Sequence, residues 1–364
     1  MLQIEPTDHC NLACRMCPPH RDRWDQVHGV AKGTLSNEVH DRLLERLVEE
    51  DCYFDHVIYQ WLGDPSLHPA LEDLLIGASQ RLAGRVGYLR ADTNGILFGE
   101  QRLDRLVAGR NPDVPLLLVF TLDAASPDTY RRVKGRDGLL RVRRHVRHLL
   151  RRRRHSANLH LQVQFVVQRE NAHEAGAFLS YWRDAWACHG REGGFFEVLF
   201  KPLSVDGGAA GQAESDRLYR TTLEEQAIFP EDHGGFAVRV WEDPPWQAAG
   251  ARGPCAALWM TPVVRHDGRL QMCCADLQGQ LGLGSVQEHG FGALWQGRRA
   301  TELRLAQLQG KFEGPCVGCA GVNWYRLNEE HVASTYRRAM ELGLTQVTLQ
   351  PSSARSKGDP VEIT

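Results

Sequence analysis

The chain has 364 residues, 42% of them hydrophobic, and a formal net charge of −2. Near-neutral charge excludes a strongly basic partner surface for nucleic acid or anionic membrane, and the length fits one large domain or two ordinary ones. No stretch approaches the ~18 apolar residues that span a bilayer, and the start MLQIEPTDHC lacks a basic segment followed by an apolar one. The expected location is the cytoplasm, where thiols stay reduced and clustered cysteines act as metal ligands rather than disulfides.

Short apolar runs alternate with helical patterns, which predicts βα units and a parallel sheet. The first strand covers residues 2–6. A loop with Cys10, Cys14 and Cys17 in C-x3-C-x2-C spacing follows it. A helix over 38–50 then places Val39, Leu43 and Leu47 on one face, with Ser36 as its N-cap. Further strands are expected at 56–61, 86–91, 115–122, 159–168 and 195–202, and further helices at 70–82, 101–108, 139–151 and 171–188. The arginine run 151–154 closes the fourth of these helical patterns. Cations there complement a helix C-terminus, so the run reads as a solvated face rather than a phosphate site. Cys52 and Cys188 stand alone and read as small buried hydrophobes.

Residues 206–254 read as a linker or insertion: a Gly/Ala-rich loop over 204–211, a short helix over 218–229, and an irregular stretch over 241–254. Cys255 then precedes an apolar run over 258–264. Asp267-Gly268 makes a turn, and a second run ends at Cys273, which together predict a β-hairpin. A helical pattern over 291–308 leads to Cys316 and Cys319 in C-x2-C spacing. A helix over 328–342 and a disordered tail over 352–364 are expected to close the chain. The organisation expected is 1–205, 206–254, 255–325 and 326–364.

Three thiolates at Cys10, Cys14 and Cys17 are one short of a structural zinc site, and His9 or His20 could supply a fourth. The other fit is a 4Fe–4S cluster whose fourth iron stays open to an external ligand. The stretch CNLACRMCPP resembles the radical S-adenosylmethionine (SAM) enzymes, in which the amino and carboxylate groups of SAM bind that iron. The resemblance implies a partial (β/α)6 TIM-like barrel over about residues 1–205, with the cluster loop at the C-terminal mouth where barrel enzymes place their chemistry. It also implies that Met16 packs against the adenine. Leu62-Gly63-Asp64-Pro65 stands where the family has Gly-Gly-Glu-Pro for the SAM amino group. Leu62 and Asp64 depart from that pattern. Thr121-Leu122-Asp123 resembles the Ser-Leu-Asp that contacts ribose and carboxylate, and Gln168, with Asn171, ends the fifth strand.

Cys255 and Cys273 are expected at the open ends of the hairpin, with Cys316 and Cys319 completing four thiolates. Spacing alone fits a zinc ribbon equally. Behind a radical SAM core the segment resembles a twitch module, the half-size form of the SPASM domain, with one auxiliary 4Fe–4S cluster. Two clusters and SAM are therefore the expected cofactors. Neighbouring residues in a strand point to opposite faces, so Cys274 is expected to turn away from Cys273 and towards the mouth as a free thiol.

The family's first steps are cleavage of SAM to a 5′-deoxyadenosyl radical and abstraction of a substrate hydrogen atom. The expected electron source is a flavodoxin or ferredoxin. Cys274 as hydrogen-atom donor would make the chain an epimerase of a sugar or aminoglycoside-like intermediate of antibiotic biosynthesis, similar to the neomycin-type epimerase. The alternative is a dehydrogenase that oxidises an alcohol through the auxiliary cluster, similar in cysteine spacing to 2-deoxy-scyllo-inosamine dehydrogenase. A peptide maturase fits less well, because no leader-binding domain is expected before strand 1. A non-catalytic zinc scaffold is the reading from another class. Gln60, Asp92, Gln164, Gln168 and Lys201, at strand ends, are the candidate substrate contacts.

Overall fold

The computed structural model describes residues 1–17, 32–156, 158–189, 193–204, 208–242, 253–317, 319 and 326–344. Six strands occupy the first part of the chain: β1 (Leu2–Ile4), β2 (Phe54–Tyr59), β3 (Val86–Thr93), β4 (Leu116–Thr121), β5 (Leu159–Val167) and β6 (Phe196–Pro202). Each pairs in parallel with the next. The crossovers carry α1 (Asn37–Glu49), α2 (Leu71–Arg81), α3 (Glu100–Gly109), the pair α4 (Pro127–Lys134) and α5 (Leu139–Arg152), and α6 (Ala175–His189). Local signals explain the ends. Ser36 Oγ accepts from Val39 N at 3.2 Å to cap α1. Gly135 closes α4 in the left-handed conformation at φ 76°. The parallel βα order is the one the spacing of strands and helices predicted, and it is consistent with the partial TIM-like barrel that the resemblance implied.

Strand period divides the sheet's two faces. Phe165 and Phe200 point to the helix layer, where they meet Phe178 of α6 with ring centroids 5.0 and 6.1 Å away. The alternate residues Arg90, Asp92, Gln162, Gln164, Glu197 and Lys201 point to the other face. The barrel thus has an apolar shell and a polar lumen.

Residues 206–254 depart from the linker reading. Helix α7 (Gly208–Glu225) begins inside the stretch expected to be a loop. Its alanines favour helix, and Tyr219, 5% exposed, pins it by donating to Phe200 O and competing for Trp241 O, both at 3.1 Å. A hairpin of β7 (Glu231–His233) and β8 (Phe236–Val240) follows, and β8 adds a seventh parallel strand beside β6. Much of the stretch read as irregular, 243–252, lies outside the described residues.

The second cysteine segment contains α8 (Ala257–Met260), β9 (Val263–Val264), β10 (Arg269–Gln271), β11 (Gly282–Ser285), α9 (Phe291–Trp295) and α10 (Arg298–Leu308), with α11 (Glu329–Glu341) after it. The expected hairpin is β9–β10. It is joined to the barrel, because β9 pairs in parallel with β1, and all eleven strands form one sheet in the order β11-β10-β9-β1-β2-β3-β4-β5-β6-β8-β7. The single helix expected over 291–308 is two. At Gly297 a Cβ would lie 2.6 Å from Ala293 O, so the chain breaks there. The tail over 352–364 lies outside the described residues.

Two smaller expectations are corrected. Cys188 is exposed, because the buried face of α6 is taken by Phe178, Leu179 and Trp182, and Cys52, just after α1, is half-buried. In the arginine run, Arg151, Arg152 and Arg154 are exposed but Arg153 is fully buried; it donates to Gly194 O and lies 5.9 Å from the Phe196 ring centroid. Among the described residues no helix is long and apolar enough to cross a membrane.

A buried pair fastens the hairpin turn to the barrel. His266 Nδ1 meets Glu5 Oε2 at 2.9 Å, with Glu5 fully buried and His266 8% exposed. Burial alone would lower the imidazole pKa, but the hydrogen bond and charge of Glu5 lift it above 6.5. A raised histidine contributes stability that is complete below 6.5 and is lost as pH rises through the folded-state pKa. The melting temperature is therefore expected to fall as pH rises above 6.5, and this slope should flatten in His266→Gln, as read by calorimetry across pH 6–9.

Candidate active site

The site is built at the C-terminal ends of the strands. After β1 the chain turns through Cys10, Cys14 and Cys17, all half-buried, around the buried Leu12. Cys17 N donates to Cys14 O at 3.1 Å, which curls the loop. Burial pushes the Cys10 thiol up to about 12, and the charges of Asp64, Cys14 and Cys17 add to it. Burial likewise raises Cys14, against the pull of the Lys134 ammonium. Three mutually felt thiols in a sheltered loop, with a buried cation beside them, fit a group that takes three thiolates and leaves one position open. Met16 is half-buried within this loop.

The turn after β2 supports the loop from below. A Cβ on Gly63 would lie 2.3 Å from Thr7 O and 2.5 Å from His9 O, so this backbone approach admits only glycine. Asp64 N donates to His9 O at 2.9 Å. The Asp64 carboxylate, 5% exposed, accepts from Ser66 N at 3.0 Å, Thr93 Oγ1 at 2.9 Å and Asn94 N at 2.5 Å. Asn94 Nδ2 in turn donates to Asn11 Oδ1 at 2.7 Å. Asp64 thus joins three turns around the cysteine loop, and Leu62 is half-buried beside it.

Thr121 ends β4, half-buried. Asp123 follows in the left-handed region at φ 58°, 1% exposed. Its carboxylate accepts from Val166 N at 2.7 Å and pairs with Lys134 Nζ at 2.5 Å. Burial opposes the Lys134 charge, and Asp123 more than restores it, leaving the ammonium above its ordinary pKa. Lys134 also anchors the cysteine loop, since Ala13 N donates to Lys134 O at 3.2 Å. Gln168 is 7% exposed, and its Nε2 is buried without a hydrogen-bond acceptor among the described residues. A buried amide donor left unmatched at this rim suits an incoming polar ligand.

The lumen below holds a polar network. Arg90 binds Asp92 through two hydrogen bonds of 2.6 and 2.7 Å. Gln164 donates to Gln162 at 2.6 Å, and Gln162 donates to Glu197. Gln60 turns back on Trp61 O and receives Gln3 at its own carbonyl at 2.6 Å. Of these groups, sequence reasoning missed Lys134, Arg90, Gln162 and Glu197. For Arg90 a signal existed, since residues two apart in a strand share a face with Asp92.

The second cysteine group shares a small core. Cys273 and Cys316 are buried with Met272, Leu281 and Leu303, and Cys255 packs against them. Cys319 is half-buried. Strand alternation is the ground for expecting Cys273 and Cys274 to diverge. β10 has ended at Gln271, so the opposite-face rule no longer applies. The adjacent Cys274 thiol and burial push the Cys273 thiol up, Cys273 in turn lowers Cys274, and Ala275 N donates to Cys273 Sγ at 3.4 Å. The backbone of Cys274 is held at the barrel rim, where Trp61 Nε1 donates to Cys274 O at 2.9 Å.

Residues 4–174 match the family model of the radical SAM superfamily, and residues 255–320 match SPASM, an iron–sulfur cluster-binding domain. These two domains imply two iron–sulfur clusters and SAM as cofactors. Among solved structures, native anSMEcpe with bound AdoMet is similar at TM-score 0.57 and 16% identity, over 94% of this chain and 97% of that one. Native anSMEcpe with bound AdoMet and the Cp18Cys peptide is similar at TM-score 0.56 and 16% identity, over 94% and 96%. BtrN in complex with AdoMet and 2-DOIA is similar at TM-score 0.43 and 14% identity, over 85% and 87%. At such identities the likeness is one of fold. No curated protein matches the chain by sequence.

Gly63→Ala is expected to push the cysteine loop off its support. Anaerobic reconstitution followed by an iron count should show the loss of about four irons and of SAM cleavage, whereas Gly77→Ala, whose Cβ would meet nothing within 4 Å, should keep both.

Proposed function

We propose that this chain, a radical SAM enzyme with a SPASM domain, oxidises a hydroxyl-bearing carbon of a small polar substrate and passes the second electron to the auxiliary cluster. The observation that carries this reading is the Cys274 thiol. A hydrogen-atom donor must present its S–H to the lumen, but this thiol lies against Cys273, whose proximity lowers its pKa, and it feels the charge of Cys255. That position suits a ligand, alongside Cys273 or in its place, with Cys255, Cys316 and Cys319.

When bound, SAM and the two clusters supply the radical that takes a hydrogen atom and the acceptor for the remaining electron. Oxidising such a carbon to a carbonyl removes one hydrogen atom, one electron and one proton; bound SAM would supply the acceptor of the first and the auxiliary cluster that of the second, and the proton goes to solvent. The first electron comes from an external donor of flavodoxin or ferredoxin type. Cys10, Cys14 and Cys17 hold the SAM-binding cluster. Met16, Leu62, Gly63, Asp64, Thr121, Asp123 and Gln168 line or brace the SAM side. Most of their polar groups act through backbone support, because the Asp64 and Asp123 carboxylates already receive protein donors. Gln60, Asp92, Gln164 and Lys201 face the substrate.

Epimerisation is the second reading, favoured by one feature: the bond from Trp61 keeps the Cys274 backbone at the rim. The two readings separate on Cys274→Ala. Wild type is expected to hold about eight irons after reconstitution, and Cys274→Ala about four, with SAM still cleaved at the first cluster. If the variant instead keeps both clusters and SAM cleavage, the thiol is free and the epimerase reading replaces oxidation.

A further inference from the structure

Lys201 ends the inner face of β6, in register with Val166 of β5. Three cations surround the upper lumen, Lys134 buried and Arg90 and Lys201 half-buried. Arg90 is held by Asp92 in a two-point contact, and Lys134 by Asp123 at 2.5 Å. Among the described residues Lys201 alone of the three makes neither an ion pair nor a hydrogen bond. The charges that reach it are Asp92 and Asp123 in attraction and Arg90 and Lys134 in repulsion. Both carboxylates are already matched by Arg90 and Lys134, which leaves Lys201 without a carboxylate of its own.

An unmatched ammonium in a partly desolvated lumen is costly, and desolvation lowers the pKa of this half-buried one. Such a group persists where a ligand supplies its partner. We propose that Lys201 anchors the carboxylate of a bound small molecule. A single negative charge balances the site, whereas a phosphate dianion would meet Asp92 and Asp123 with one charge in excess. The amides of Gln162 and Gln164 and the Arg90–Asp92 pair offer donors and acceptors to hydroxyls beside it. A hydroxyl-rich monocarboxylate, of sugar-acid type, therefore fits this lumen better than a cationic aminoglycoside. The assignment rests on the lumen being the substrate site. The carboxylate has two possible sources, the substrate and SAM itself.

Melting curves test this on reconstituted protein, without turnover, so the outcome is independent of whether oxidation or epimerisation is the reaction. D-gluconate is the probe, with sorbitol as its neutral counterpart. SAM affinity is measured in parallel by equilibrium dialysis. Gluconate should raise the melting temperature of wild type and of Lys201→Arg, and sorbitol should not. In Lys201→Met the gluconate needed for half the effect should rise tenfold or more with SAM affinity unchanged, which assigns the carboxylate to the substrate. A tenfold loss of SAM affinity with no gluconate effect in any form assigns it to SAM and also supports the anchor. Ligand-free Lys201→Met should melt at or above wild type, because it removes an unmatched charge. A lower melting temperature, or unchanged binding of both probes, overturns the proposal.

Discussion

A single buried carboxylate, that of Asp64, holds the upper rim together. It receives donors from the turn it belongs to, from Thr93 and from Asn94, and its own amide reaches His9 beside the first cysteine. Burial raises its pKa, and the donors from Ser66, Asn94 and Thr93 oppose that cost. A carboxylate so surrounded is a fixed point. The cysteine loop has little secondary structure of its own, so its shape is inherited from these turns and from the close approach at Gly63. Where relatives of this motif offer a glutamate, the shorter aspartate here reaches the neighbouring turn, which draws its role towards support.

The second consequence of the rim is that the two cysteine groups become neighbours. β9 pairs with β1, the strand that delivers the first cysteines, and Glu5 with His266 seals the same joint. Trp61 stands between the groups, one residue before the Leu62-Gly63-Asp64 turn and hydrogen-bonded to the Cys274 carbonyl. Arg265 stacks over its ring at 5.7 Å. The two cysteine groups therefore share one rim of the lumen.

Much of this was legible in the sequence. The six parallel strands fall within a few residues of their predicted positions because each is a short apolar run between helical patterns. Ser36, the hairpin at Asp267-Gly268 and the α11 helix were equally plain, for each depends on local chemistry. Residues 206–254 were harder. Gly208 to Gly211 looks like a breaker, yet the helix there is fixed by Tyr219 reaching two distant carbonyls, a tertiary contact with no local signature. Lys134 was missed for the same reason, since its partner Asp123 belongs to another element. The lumen pair Arg90 and Asp92 was readable in principle, because alternation in a strand puts both on one face.

Cys273 and Cys274 mark the limit of that alternation rule. It holds only while the chain stays extended, and here the extended segment ends two residues earlier. Gln271 Nε2 donates to Cys273 O at 3.1 Å and to Asp276 O at 3.0 Å, and the Asp276 carboxylate accepts from Gln280 N at 3.0 Å and Leu281 N at 2.7 Å. These bonds fold residues 273–281 into a compact turn, and within it successive side chains no longer diverge. The two thiols meet because one amide and one carboxylate close the turn around them. Where the Cys274 side chain points is thereby set by turn chemistry, not by the cysteine spacing that drew attention to it.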